Sequence, residues 1–347
     1  MSDLTDSSPI CQDAYEFNAN VWIALVFGTV VFLNFFGIIS TLHVTRILIS
    51  RKVEVFHTNL RILFANLSFA LIIRSLLTLF RAGQHLVIII TFQSKCDFLQ
   101  SGSWCEIQSK LNSTPVLVSV YAYLVIACER SFATFKYKTY EKRRDSILSL
   151  IFAVATWIHP LVYIVKLLVV KSENVADKSY CSSMTANSKM QMMETFLLPI
   201  IVIILSAIMF AIVLRFCLQK QRLTLTTQNH NLSGRYQLSE NIRASRIVLP
   251  NAFAFLAVTL FNIAVLFVMK YTIGPESMKL FGILKELSSL TFPIYINVYS
   301  WIFILRCPPL AKRTFIIRRY ERFTKDPLRE QIMGSNNHFN MLTTYWK

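Results

Sequence analysis

Charge is scarce in this chain of 347 residues: Asp, Glu, Lys and Arg supply only 16%, against 54% hydrophobic residues. A soluble domain carries about 25% charged residues, so the composition excludes an ordinary water-soluble globule. Glycine (8) and proline (10) are sparse and scattered, leaving no linker, low-complexity tract or repeat to divide the chain. Metal-type spacings of His, Cys, Asp and Glu are missing, as are a nucleophile elbow and a phosphate-cradling glycine loop. Neither enzymatic chemistry nor a cofactor is therefore expected. A cleavable leader is not expected either: residues 1–20 hold no Lys or Arg, and the first apolar run is too long for a signal-peptide core.

What the chain does have is apolar sequence in seven runs: Val21–Val44, Ile62–Phe80, Leu111–Ala127, Ile147–Val170, Phe196–Cys217, Ile247–Met269 and Leu287–Leu305. Most approach or exceed the roughly 20 residues that cross a bilayer as a helix. The second holds Arg74, the fourth Lys166 and the fifth Arg215 near its end; the others lack Asp, Glu, Lys and Arg. Leu86–Phe92 is too short to span and reads as an outer extension of the second helix or an interfacial segment. The expected fold is an all-α integral membrane bundle of seven transmembrane helices over 21–305. Its helices fall at about 21–45, 58–81, 105–130, 146–170, 195–217, 246–271 and 284–305. Residues 1–20 form an N-terminal segment and 306–347 a tail. Within that tail, 310–323 alternates basic and apolar residues like an amphipathic helix lying on a membrane surface.

The formal net charge of +17 does not mark a nucleic-acid binder, because the basic residues sit in short stretches beside the spans. They collect after run 1 (Arg46, Arg51, Lys52, Arg61), after run 3 (Arg130 to Arg144), around the loop after run 5, and in the tail. The N-terminal segment instead carries Asp3, Asp6, Asp13 and Glu16. The positive-inside rule then puts the N-terminus outside and the C-terminus in the cytoplasm. On that topology Cys11, Cys96, Cys105 and Cys181 face the oxidising side, where disulfides persist. A Cys105–Cys181 bridge would pin the loop between runs 4 and 5 to the top of the third helix. Cys11 and Cys96 are a second candidate pair, although connectivity among four cysteines does not follow from sequence. Cys128 and Cys217 read as small core residues, and Cys307 as either a free thiol or an acylation site. The sequons at Asn66, Asn112 and Asn231 read as chance matches.

More specific features follow in order: Phe56-His57-Thr58-Asn59-Leu60-Arg61 entering the second helix, and Cys128-Glu129-Arg130-Ser131-Phe132-Ala133-Thr134 leaving the third. Tyr140-Glu141 comes next, and Leu232 to Asn241 (LSGRYQLSEN) stands in the third inner loop. With the seven-span topology, this set resembles the nematode serpentine chemoreceptors of the Sra superfamily, nearest the alpha/beta (Srab) class, over almost the whole chain. The resemblance implies a G-protein-coupled receptor in the plasma membrane of sensory neurons. Its partners would be a small external ligand, membrane lipid and a heterotrimeric G protein. The rivals are a transporter, disfavoured by the lack of duplicate halves, and a ligand-gated channel of inverted topology. Helices 6 and 7 depart from the large rhodopsin-like group. Pro293 is followed by Tyr295, Asn297 and Tyr299, and Pro250 has no tryptophan partner at mid-depth.

Within this frame Arg130 is expected to act as a latch, paired with Glu129 at rest and freed to meet a G protein; Glu240 is a second candidate resting partner. Arg74, costly in lipid at about 2.5–3.5 kcal/mol, should face the bundle, where it could meet an anionic ligand or pair with Glu286. Gln108, Asn112 and Val116 share one helix face at i, i+4 spacing and are pocket candidates. Asn262 and Tyr271 join them, with Glu194, Ser288 and Ser289 behind. Asn34 and Asn66 are expected to bond between helices, and His43 and His159 to be structural.

Overall fold

The computed structural model describes residues 8–50, 56–135, 146–169, 178–181, 197–226, 232–272 and 278–307. The expected amphipathic helix 310–323 and Glu194 lie outside the described residues, as do the side chains of Lys166 and Tyr271. Among the described residues the architecture is all-helical apart from one isolated bridge, Gln100 to Lys178.

A short helix α1 (Pro9–Asn18) precedes the bundle. Ser8 caps it by accepting a hydrogen bond from the Cys11 N–H, and Pro9 supplies a first-turn residue that has no N–H to satisfy. The bundle consists of α2 (Val21–Ile49), α3 (Thr58–Thr91), α4 (Gly102–Phe135), α5 (Ser146–Val169), α6 (Leu198–Thr226), α7 (Leu232–Thr272), α8 (Met278–Ser289) and α9 (Thr291–Arg306). Six spans are long and apolar enough to cross a membrane, and α5 adds a shorter apolar stretch, Ile147–Val162. These make a multi-pass membrane protein.

The helices extend past the apolar runs. Leu86–Phe92 does not form a separate surface segment; it continues α3 to Thr91, with Phe92 as the cap. α4 reaches from Gly102 to Phe135, and α7 begins at Leu232, well before the expected residue 246. The last span is two helices, broken at Leu290. Pro293 explains the break: it has no N–H for the carbonyl four residues back, and suits the first turn of a new helix.

Membrane burial inverts the usual pattern on α2. Phe32, Phe35, Phe36, Ile39 and Leu42 are exposed, while Val30, Asn34, Gly37, Thr41 and Val44 face the protein at helical spacing. Lipid solvates the large apolar side chains, so small and polar ones line the seam. A Cβ on Gly37 would lie 3.2 Å from Ile296 Cγ2 of α9. Thr41 and Ser300 hydroxyls meet at 3.0 Å, and Asn297 donates to the Leu33 carbonyl at 3.0 Å. Asn34 departs from expectation. Its amide donates to Val30 of its own helix at 2.8 Å rather than bridging helices. Asn66 does bridge, donating to Thr156 at 3.1 Å and accepting from Trp157 Nε1 at 2.8 Å on α5.

Two disulfides lie at the same end of the bundle. Cys105–Cys181 ties the segment before α6 to α4, and Cys11–Cys96 ties α1 to the loop between α3 and α4. Lys95 Nζ donates to Gln12 Oε1 at 2.8 Å, so α1 is held at two adjacent points. Asp97 closes the turn by accepting the N–H groups of Gln93 and Ser94, which hold its carboxyl below the usual carboxylate range. Phe17 of α1 packs edge-on to Tyr180 at 4.8 Å and covers Gly282, where a Cβ would come within 2.2 Å of its ring.

Candidate functional site

Below α1 a cavity of about 160 Å³ opens between α3, α4, α7 and α8. Its polar wall comes from α3 (Arg74, Thr78, Arg81), α4 (Gln108, Ser109, Asn112, Ser113) and α8 (Lys285, Glu286, Ser289). Val116, Leu117, Pro199, Ile263 and Phe292 supply apolar wall, and Tyr180 and Cys181 close the top. Gln108, Asn112, Val116, Arg74, Glu286 and Asn262 all line it; the side chain of Tyr271 is outside the described part.

The pairing inside the cavity differs from one expectation. Glu286 does not take Arg74 as its partner. It is gripped in bidentate fashion by Arg81, with Nη1 to Oε1 at 3.0 Å and Nη2 to Oε2 at 2.6 Å. Tyr180 donates to Oε1 at 3.0 Å, and Ser289 Oγ lies 3.3 Å from Oε2. Burial and the Glu286 charge push the Tyr180 phenol well above its ordinary range, so it stays a donor. Arg74 turns to α4: its Nη1 donates to the Asn112 carbonyl at 3.1 Å and side-chain oxygen at 2.7 Å, and its guanidinium lies 5.4 Å from the centre of the Phe292 ring. The Asn112 amide in turn donates to the Gln108 carbonyl at 3.0 Å. Asn262 donates to Thr291 at 2.7 Å, tying α7 to the start of α9.

Arg81, Lys285, Tyr180 and Phe292 were not among the expected site residues. Arg81 follows Arg74 by seven residues, two turns on the same face, and that spacing was the available signal. It went unread because the expected helix ended there, whereas α3 runs another ten residues.

Beneath the cavity the core is aromatic. Phe292 and Phe255 are 6.3 Å apart, and Phe255 packs on Tyr123 and Tyr295, whose hydroxyls meet at 2.6 Å. Tyr299 bonds Ser68 at 2.8 Å, and Phe303 stands edge-on to Phe64. A continuous column thus runs from the cavity toward the far end of the bundle.

There Arg130, only 1% exposed, is held by both oxygens of Glu129 and donates to Asn241 Oδ1 at 2.8 Å. The Asn241 amide reaches Thr134 at 3.2 Å, and Thr134 contacts Cys217 Sγ at 3.6 Å, so α4, α6 and α7 are joined. Glu240 points elsewhere: its carboxylate accepts the His57 N–H at 2.5 Å, and the residue that reaches Arg130 is its neighbour Asn241. Arg61 donates to the carbonyls of Leu48, Ile49 and Ser50 at 2.7–3.0 Å, capping the C-terminus of α2. Cys128 is exposed beside this site rather than buried in the core, whereas Cys217 and Cys307 are buried.

The family model of the serpentine-type seven-transmembrane G-protein-coupled chemoreceptors of class ab matches residues 10–318. The chain belongs to the class ab serpentine chemoreceptors. It is 25% identical to the serpentine receptor class alpha/beta-14 of Caenorhabditis elegans, over 97% of this chain and 92% of that one. A probable G-protein coupled receptor of the same organism is 23% identical over 69% of this chain and 68% of its own. The family is a class of receptors, not of enzymes. In this serpentine receptor the motifs Phe56–Arg61 and Cys128–Thr134 sit at one end of the bundle, with α2, α3, α4 and α7 joined through Arg61, Arg130, Asn241 and Glu240.

Proposed function

We propose that this receptor binds a small external chemical in the cavity between α3, α4, α7 and α8 and activates a heterotrimeric G protein at the Arg130 end. One observation carries the reading: α4 places Asn112 in the wall of a charged cavity at one end and a buried, hydrogen-bonded Arg130 at the other. A ligand that favours a different packing of α4 against α7 would loosen the Arg130–Asn241 contact. Such coupling needs a difference in ligand affinity between the two arrangements. The clustering of both disulfides at the cavity end supports an extracellular N-terminus, and the basic stretches flanking the Arg130 end support a cytoplasmic face there.

The test is a chemical screen on cells expressing the chain, read by second messenger, with surface labelling of an N-terminal epitope. Arg130→Ala is expected to reach the surface and lose the response, while Asn112→Ala shifts the dose–response curve of an active chemical. Normal signalling by a surface-expressed Arg130→Ala receptor would overturn the latch. Uptake of the chemical without G-protein activation would replace the receptor by a transporter.

A further inference from the structure

The charges lining the cavity do not balance. Among the described residues they are Arg74, Arg81 and Lys285 against Glu286 alone. The Glu286 carboxylate is already occupied, with the Arg81 fork across both oxygens, Tyr180 on one and Ser289 near the other. A cationic ligand would have to displace a bidentate guanidinium to use it. Arg74 is in the opposite condition. Both of its described hydrogen bonds leave from Nη1, to the carbonyl and side chain of Asn112. Its Nε is buried and has no partner, and no described residue bonds Nη2. Nε and Nη2 form the side-on fork of a guanidinium, the edge that matches the two oxygens of a carboxylate. Lys285, on the α8 wall, brings the second uncompensated charge.

We infer that the ligand is a small amphipathic anion, a single carboxylate on a compact apolar body. The carboxylate meets Arg74 and Lys285, and the body lies against Val116, Ile263 and Phe292. Phe292 steers this arrangement because its ring already packs against the Arg74 guanidinium. Size follows from the cavity: about 160 Å³ compares with an apolar cavity of about 150 Å³ that accepts benzene. The body therefore has the bulk of one six-membered ring or a short alkyl chain. This inference rests on the cavity being the ligand site.

The test uses the full-length receptor purified into lipid nanodiscs and its melting temperature in the presence of matched probes. Benzoate, benzyl alcohol and benzylamine form one series; butyrate, hexanoate and octanoate with their alcohols and amines form others. At least one carboxylate is expected to raise the melting temperature saturably and to bind about tenfold or more tighter than its alcohol and amine. Arg74→Gln removes that preference, Arg74→Lys keeps part of it, and Lys285→Gln weakens it. The wild-type charge series decides the question even where Arg74→Gln fails to fold. If an alcohol or amine binds best, or no carboxylate binds, the anion inference falls while the cavity stands. If a carboxylate binds the Arg74→Gln/Lys285→Gln receptor with wild-type affinity, it binds elsewhere, and the cavity reading falls too.

Discussion

Arg81 and Glu286 show what a buried ion pair does when one partner is removed. Glu286 is 1% exposed and Arg81 15%. Glu286→Gln leaves the guanidinium without a counter-charge, and breaking such a pair from one side costs about 3–5 kcal/mol. The single mutant is expected to melt lower and to reach the cell surface poorly. Replacing both partners by apolar residues of similar volume, Arg81→Met with Glu286→Leu, should recover part of the loss, because neither charge of the pair is left without the other. Equal melting temperatures for the single and double mutants would contradict this account. The contrast between Glu240 and Asn241 belongs to the same scale. Adjacent helical positions differ by about 100° around the axis, so one residue can face Arg130 while its neighbour faces α3. Composition favours the acidic residue as the arginine's partner, but the rotation of α7 assigns that place to the amide. No feature of the local sequence reports that rotation.

The α2–α9 seam shows how lipid changes the meaning of an apolar run. Both faces of α2 are apolar or small, so no amphipathic stripe marks its buried side, and only Gly37, Thr41 and Asn34 hint at it. Gly37→Leu would drive a branched side chain into Ile296 and Asn297, whose nearest atoms already lie 3.2–3.5 Å from an added Cβ. The cost is expected to be about 1–3 kcal/mol from overpacking, read as a lower melting temperature. Gly28 is the control within the same helix: nothing lies within 4 Å of a Cβ added there, so Gly28→Ala should be close to neutral. The existence and order of the spans were legible because twenty-odd apolar residues have few other uses. Their ends were not, because the polar sequence before the apolar run of α7 gives no hydrophobic signal of a helix, although Leu238 and Ile242 pack against Val213 and Cys217 of α6. The division at Leu290 was equally hidden, since Pro293 fits within a kinked helix as well as at the start of a new one.

At the scale of the molecule, the end that carries both disulfides is built from parts far apart in sequence. Cys11 and Cys96 are 85 residues apart, and Cys105 and Cys181 are 76 apart. The four cysteines were legible as an oxidised set, with Cys105–Cys181 as the leading bridge and Cys11–Cys96 as the second candidate; the second pair rests on the docking of α1, which no apolar run announces. Cys11→Ser with Cys96→Ser is expected to lose about 2–4 kcal/mol and to free α1 while leaving the second bridge intact. Protease sensitivity confined to the N-terminal segment, with the remaining bundle still folded, would bear this out. Global unfolding would instead give α1 a part in the core.

The contact between Thr41 and Ser300 spans 259 residues. It makes the bundle a closed ring whose first and last spans are neighbours, and this has a consequence for biogenesis. The first span leaves the ribosome with its polar seam uncovered and waits until the final one is inserted. Throughout synthesis the nascent chain carries an open flank of hydroxyls and a bare glycine groove within the bilayer. That flank disappears only when the last helix docks.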